Sequence, residues 1–385
     1  MSKRQILALF VCSLVPWTVG NGLMPLLPVY ARQLGADPAA AGYYLAFSYA
    51  ALAVGSVAAG WLSDRFQHRK MPIIIAGMAA IPIAWLTGRV RSIWSLSVLT
   101  ALLWFCGGLG LALAGILTGL SAGEEERGRI FGVLSLTTGL GALIGGLGTG
   151  FLVDRWGFPT MYSAVATLLV LWPSTGILLT ERQVEQHREP GGLTKERSVL
   201  GRSYHLLFAA GLVASISGAV VVLGRSLLMS DLGFTAFAIS STGAAGGVVG
   251  MPLPLLLGWL SDRTDRKIYL YLGYVAGIAS LSVLAVSTSL WHFFVIMVLQ
   301  SVFLGVNAAL GNALVTDLVP QELLGRGLAL FAATSWIGGV LGFAGAGYAL
   351  QNIGPLPTFV TGICLALIAT VLLIPIRSDV YGHGS

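Results

Sequence analysis

Six consecutive residues, Gly60-Trp61-Leu62-Ser63-Asp64-Arg65, recur as Gly258-Trp259-Leu260-Ser261-Asp262-Arg263, and each copy leads within a few positions to Arg-Lys (Arg69-Lys70 and Arg266-Lys267). Each copy ends one long apolar run and precedes another. The spacing is about half the chain of 385 residues. A half-chain repeat with charge at equivalent turns is the pattern of a duplicated membrane protein.

A helix needs about 20 apolar residues to cross the hydrocarbon core. Twelve such runs fall near 5–30, 40–62, 71–88, 93–120, 130–152, 159–179, 204–229, 236–260, 268–288, 291–316, 327–349 and 356–376; we call them spans 1 to 12. Only 10% of the residues are charged and 56% are hydrophobic. A soluble domain carries about 25% charged residues, so a soluble fold is excluded. The 51 glycines suit helices packed closely in lipid. Lys3 and Arg4 before the first run imitate a signal peptide, but the run to Tyr30 is too long for one. The connections are short except at Glu181 to Arg202, a polar stretch that contains Pro190-Gly191-Gly192. It reads as a solvated linker. The expected fold is therefore all-α and integral to the membrane, with two pseudo-symmetric six-helix bundles at 1–180 and 203–385 joined by a linker at 181–202.

Orientation follows from the basic residues. The termini, the linker and the turns after even-numbered spans hold 17 of the 22 Lys and Arg; Arg32, Arg89, Arg91, Arg155 and Arg225 fall toward the other side. This predicts cytoplasmic termini. It also accounts for the net charge of +6 without a nucleic-acid partner. The halves align at further turns. Leu34-Gly35 matches Leu232-Gly233, and Glu125 with Gly128-Arg129 matches Glu322 with Gly325-Arg326. Six spans per half make the repeats parallel.

The loop at 60–70 resembles the signature G-x-L-x-D-R-x-G-R-R/K of the major facilitator superfamily, with Gln67 at the glycine position and His68 at the first basic one. The loop at 258–267 repeats it, with Asp265 at the glycine. Pro25-Leu26-Leu27-Pro28-Val29-Tyr30 and Leu34-Gly35 look like the first span of the twelve-span drug:proton antiporters. There are two departures. Trp104 stands four residues before Gly108-Leu109-Gly110, where those antiporters carry arginine, and Ala142 replaces the proline of G-P-x-x-G-G in Gly141 to Gly146. Both bear against proton antiport.

The resemblance implies a gate. In the superfamily's two-bundle arrangement Asp64 would meet the start of span 11, and Asp262 the start of span 5. A helix start carries unpaired N–H groups and partial positive charge, which favour a carboxylate. Such contacts exist only when the cytoplasmic side is closed. Gly60, Arg65, Arg69, Lys70, Glu125, Arg129, Gly258, Arg263, Arg266, Glu322 and Arg326 complete this expected network. The competing reading is that the basic residues only fix topology.

Trp17, Asn21 and Met24 share one face of span 1, and Gln300, Phe303 and Asn307 share one face of span 10. An amide in lipid must be paired or face a cavity. Trp17, Asn21, Trp104, Gln300 and Asn307 are candidate cavity residues, with interhelical hydrogen bonding as the alternative. Arg225 joins them as the basic residue placed within a span. All sixteen acidic residues fall in loops or at helix ends, with Asp317 nearest to an embedded one. No obvious buried proton carrier results, and facilitated diffusion stays open. The glycines from Gly139 to Gly150 complete no G-x-G-x-x-G and read as close helix packing. Cys12, Cys106 and Cys364 lie singly in apolar runs. No metal spacing or nucleophile–base constellation appears, so neither an enzyme nor a cofactor is expected.

The function expected is a monomeric alternating-access transporter of the cell (plasma or inner) membrane, exporting a neutral or amphiphilic organic solute. Its partners are that solute and the lipid bilayer, with the proton as the candidate coupling ion. A nutrient importer, for example of a sugar, is the runner-up. A receptor or scaffold that does not transport is the alternative of another class.

Overall fold

The computed structural model describes residues 1–66, 68–121, 124–181, 200–253, 256–257, 260 and 266–376. With no water to satisfy backbone groups in lipid, each span must bond within itself as a helix. Span 1 is Lys3–Leu23, continued after a break by Leu27–Gln33; spans 2, 3 and 4 are Pro38–Phe66, Lys70–Thr87 and Ile93–Ser121. Spans 5 and 6 run together as Glu124–Leu169, with Leu171–Gly176 completing span 6. Spans 7 to 12 are Arg202–Asp231, Ala236–Gly250, Arg266–Ala285, Leu290–Leu318, Leu324–Asn352 and Pro355–Leu372. No strand occurs among the described residues.

The first apolar run differs from its single-helix expectation. Pro25 has no amide proton to give, and Pro28 sits in the first turn of the new helix, so the chain restarts between them. The outer piece is held by Tyr30, which stacks on Phe158 at 4.2 Å and donates from its hydroxyl to the Thr87 carbonyl at 3.2 Å.

The duplication is written into the backbone. Among the described residues the left-handed glycines are Gly35 (φ 85°), Gly157 (φ 77°), Gly233 (φ 77°) and Gly354 (φ 86°). Only glycine takes such angles without strain. They pair as repeats, 35 with 233 at the turn before spans 2 and 8, and 157 with 354 at the turn before spans 6 and 12. A second pair of equivalents staples each bundle. Lys70 Nζ donates to the Ile177 carbonyl at 2.7 Å, and Lys267 Nζ donates to the Ile374 and Ile376 carbonyls at 2.8 Å. Each lysine thus caps a helix end in the last span of its own bundle.

Span 2 packs on span 4 and span 1 on span 5 in the first bundle; span 9 packs on span 10 and span 7 on spans 11 and 12 in the second. Between bundles, span 5 lies along span 8 and span 11 along span 2. Small residues allow this. A Cβ at Gly146 would lie 2.8 Å from the Ser240 carbonyl oxygen, and one at Gly347 would lie 2.7 Å from Gly42 Cα. The glycine run in span 5 is therefore a close-packing surface, on span 1 at Gly141 and Gly145 and on span 8 at Gly139, Gly146 and Gly150.

Candidate functional site

Span 1 is central, yet one stripe of it is open. Phe10, Leu14, Trp17, Asn21 and Met24 are each partly exposed while most of their neighbours are buried, and Leu7 below them is 64% exposed. The exposure along this stripe is greatest toward the face that carries the basic residues, at Leu7. Span 7 agrees. Its half near that face alternates open and buried positions, whereas Ser217 to Leu227 is buried except at Val222.

The closed end begins at an aromatic cluster shared by both bundles. Tyr49 of span 2 contacts Trp104 of span 4 at 6.2 Å between ring centroids, and Trp336 and Phe343 of span 11 at 6.2 and 4.9 Å. A Cβ at Gly20 would lie 3.6 Å from the Trp104 ring, so span 1 closes on it too. The buried Trp104 Nε1 has no hydrogen-bond partner among the described residues.

Beyond this cluster the bundles are latched twice, by equivalent positions of the repeat. Asp154 at the end of span 5 accepts from the amides of Ala236 (2.8 Å) and Phe237 (2.9 Å), which start span 8. Gln351 at the end of span 11 accepts from the Ala39 amide (3.1 Å), which starts span 2. Both satisfy orphan N–H groups of a helix in the other bundle. Arg32 and Asp231 add an ion pair across the same seam.

Arg225 lies below the latch. It is 2% exposed and donates through Nη1 to Thr242 Oγ1 and, at 3.5 Å, to the Ile239 carbonyl. Its Nε has no partner among the described residues. The next residue of span 8, Gly243, would place a Cβ 3.4 Å from Pro25 at the break in span 1.

On the basic face no hydrogen bond or ion pair between the bundles is seen among the described residues. Asp64 and Arg65 are exposed, and Asp64 has no hydrogen bond or ion pair among the described residues. Arg65 lies 6.0 Å over the Trp61 ring of its own helix. Gly60 has open space around it, and Arg129 and Arg326 are exposed. Arg69 and Lys70 instead serve their own bundle. Buried Arg69 donates from Nε to Ser63 Oγ at 2.8 Å, and Lys70 reaches the end of span 6. The positions Gly258, Asp262 and Arg263 lie outside the described residues, as do the side chains of Glu125, Arg266 and Glu322.

The amides point into their own bundles. Asn21 donates to the Thr138 carbonyl at 3.1 Å. Gln300 accepts from Ser280 at 3.4 Å and Asn307 accepts from Tyr274 at 3.1 Å, so both are buried against span 9. Trp17 stands beside Gly141 of span 5 on the open stripe.

Sequence reasoning did not single out Asp154, Gln351, Tyr49 or Trp336. Glu181 was assigned to the linker, yet its Oε1 accepts from the amides of Arg69 and Lys70 and so caps span 3, while Oε2 lies 3.7 Å from His68 Nδ1. Among the described residues no His/Cys/Asp/Glu cluster could hold a metal.

The sequence profile of the Major Facilitator Superfamily matches residues 9–281 and again 206–382. The multidrug resistance protein MdtG of Klebsiella pneumoniae is 31% identical over 154 residues, 39% of this chain and 37% of that relative. MdtG of Salmonella paratyphi A is 25% identical over 306 residues, 75% of this chain and 74% of that relative. The solved structure of the nucleoside transporter NupG superposes with a TM-score of 0.80 at 13% identity, over 97% of this chain and 99% of its own. A D-xylose–proton symporter follows at 0.76 and 13%, over 97% of each chain. Such identities carry the fold alone. With its doubled six-helix bundles and profile matches covering both, this chain belongs to the Major Facilitator Superfamily of membrane transporters.

Proposed function

We propose that the protein is an exporter of amphiphilic small organic molecules, working by alternating access in the plasma or inner membrane with its basic face and termini in the cytoplasm. The carrying observation is the asymmetry of the two seams. Asp154 and Gln351 bind the bundles together on one face, while Asp64 on the other is without a partner among the described residues. The asymmetry supports reading this as the inward-facing member of a two-state pair, in which Asp64 seals the other member.

The efflux direction draws on the MdtG relatives, whose name is multidrug resistance protein. The open stripe of span 1 and the Tyr49–Trp104–Trp336 cluster offer apolar and aromatic surface to a solute entering from the cytoplasm. A sugar importer would need several free amides and charged groups in that space; Asn307 is engaged with Tyr274 of span 9, and Gln300 accepts from Ser280 there while its Nε2 has no partner among the described residues. Among the described residues no Asp or Glu is buried, so solute flux need not carry a proton. The protein works as a monomer, each chain holding both bundles.

The test is flux from proteoliposomes of fixed orientation. Efflux of an aromatic amphiphilic dye from the side of the basic face supports the reading. Accumulation of a labelled sugar, with no dye efflux, would contradict it.

A further inference from the structure

Arg225 carries a full charge under a closed seam, and among the described residues nothing negative answers it. Its guanidinium is too deep to reach water by extending its stem, at 2% exposure. Its partners are a hydroxyl, Thr242 Oγ1, and a carbonyl, Ile239 O. Arg225 Nε and the hydroxyl of the next residue, Ser226, are both buried without a partner among the described residues. An ion held this way costs several kcal/mol of desolvation that neutral acceptors recover only in part. A helix face kept for packing has no use for it. The position is also central: the Arg225 side chain ties span 7 to span 8 beside Pro25, where span 1 of the other bundle breaks. Opening the outer seam draws span 1 away from spans 7 and 8 and uncovers a fork-shaped donor with Nε still unsatisfied, suited to a planar oxyanion.

We propose that Arg225 is an anion-recognition residue of the transport path, and that the solutes carried have an apolar aromatic body ending in one acid group, a carboxylate or sulfonate. The inference rests on the transporter reading and narrows its solute class. The solute's rings occupy the aromatic cluster, and its acid group meets Arg225 as the outer half opens. A free inorganic anion such as chloride is the other source of the same chemistry.

Binding to the purified full chain separates these. Naphthalene sulfonate and its neutral sulfonamide are compared by thermal stabilisation and tryptophan fluorescence at neutral pH, in chloride and in gluconate. The wild type is expected to bind the sulfonate about tenfold tighter than the sulfonamide. Arg225→Gln is expected to bring the two within about twofold, and Arg225→Lys to keep part of the preference. Equal binding of acid and amide by the wild type would overturn the proposal, whatever the variants do. So would an acid preference that survives in Arg225→Gln. Stabilisation by chloride with none by the sulfonate would assign the site to an inorganic ion and overturn the solute class. Anion-selective binding without any flux in liposomes would instead count against the exporter reading and leave the site standing.

Discussion

Asp154 of the first bundle holds the first amides of span 8 in the second, with Ala236 N at 2.8 Å and Phe237 N at 2.9 Å from its two carboxylate oxygens. A carboxylate on an exposed helix N-terminus contributes about 0.3–1 kcal/mol. Replacing it by alanine removes both acceptors and the charge. Asp154→Ala should shift the population toward the outward-open state by about two- to fivefold, and Asp154→Asn by less. Thiol labelling of a cysteine placed in the outer seam reads the shift. Unchanged labelling in both variants would remove Asp154 from the gate.

Two glycines of span 5 look alike in sequence and should behave differently. Gly150 faces the other bundle, where a Cβ would lie 2.6 Å from the Ala236 carbonyl oxygen. Gly145 faces span 1 of its own bundle, where a Cβ would lie 2.9 Å from Gly22 N. Gly150→Leu should block outer closure, hold the protein outward-open and abolish flux while the protein still folds. Gly145→Leu should lower yield and thermal stability, because overpacking within a bundle costs about 1–3 kcal/mol. Yields and melting temperatures alongside seam labelling distinguish the two. Equal loss of folding in both would contradict the assignment of Gly150 to a moving interface.

Glu181 and Asp64 are both acidic residues near the repeated signature, with opposite roles. Glu181 caps span 3 inside its bundle. Glu181→Ala should destabilise the fold by about 0.5–2 kcal/mol, the usual effect of losing a cap, without moving the gate. Asp64 has no partner to lose among the described residues. Asp64→Asn should leave the stability of that state unchanged, raise its population and slow transport. The readouts are thermal unfolding and cytoplasmic-face cysteine labelling. If Asp64→Asn alters neither flux nor labelling, its gating role is wrong.

The fold was legible because lipid makes length and hydropathy decisive, and because the repeat fixes which spans correspond. The turns Gly35, Gly157, Gly233 and Gly354 show the same duplication in the backbone. A gate on the basic face could be proposed from motif residues. The opposite latch could not, because its equivalent positions carry different side chains, Asp154 and Gln351, and share only the helix ends they reach. Helical period grouped Gln300 with Asn307 correctly, but one helix cannot reveal which neighbour its face meets; here it meets span 9. Nothing in the sequence singles out Tyr49. Only tertiary contact makes it the hub between Trp104 and Trp336. Glu181 was missed because a cap from the far end of a bundle has no local signature.

Proton coupling gives a further test. Among the described residues every buried polar side chain lacks a carboxylate, and Asp317 stays at the basic-face end of span 10. Efflux driven by a solute gradient should release no stoichiometric protons to a pH-sensitive dye. Proton counterflow at a fixed ratio would contradict this and point to Asp317.

In the proposed cycle one seam opens as the other closes. Spin labels at Trp61→Cys and Arg326→Cys report the basic face, and labels at Gln33→Cys and Leu232→Cys report the opposite one. Distances are measured in the wild-type background and with Gly150→Leu. The variant should lengthen the Gln33–Leu232 distance and shorten the Trp61–Arg326 distance together. Lengthening at one face with no change at the other, or movement of both in the same direction, would contradict it.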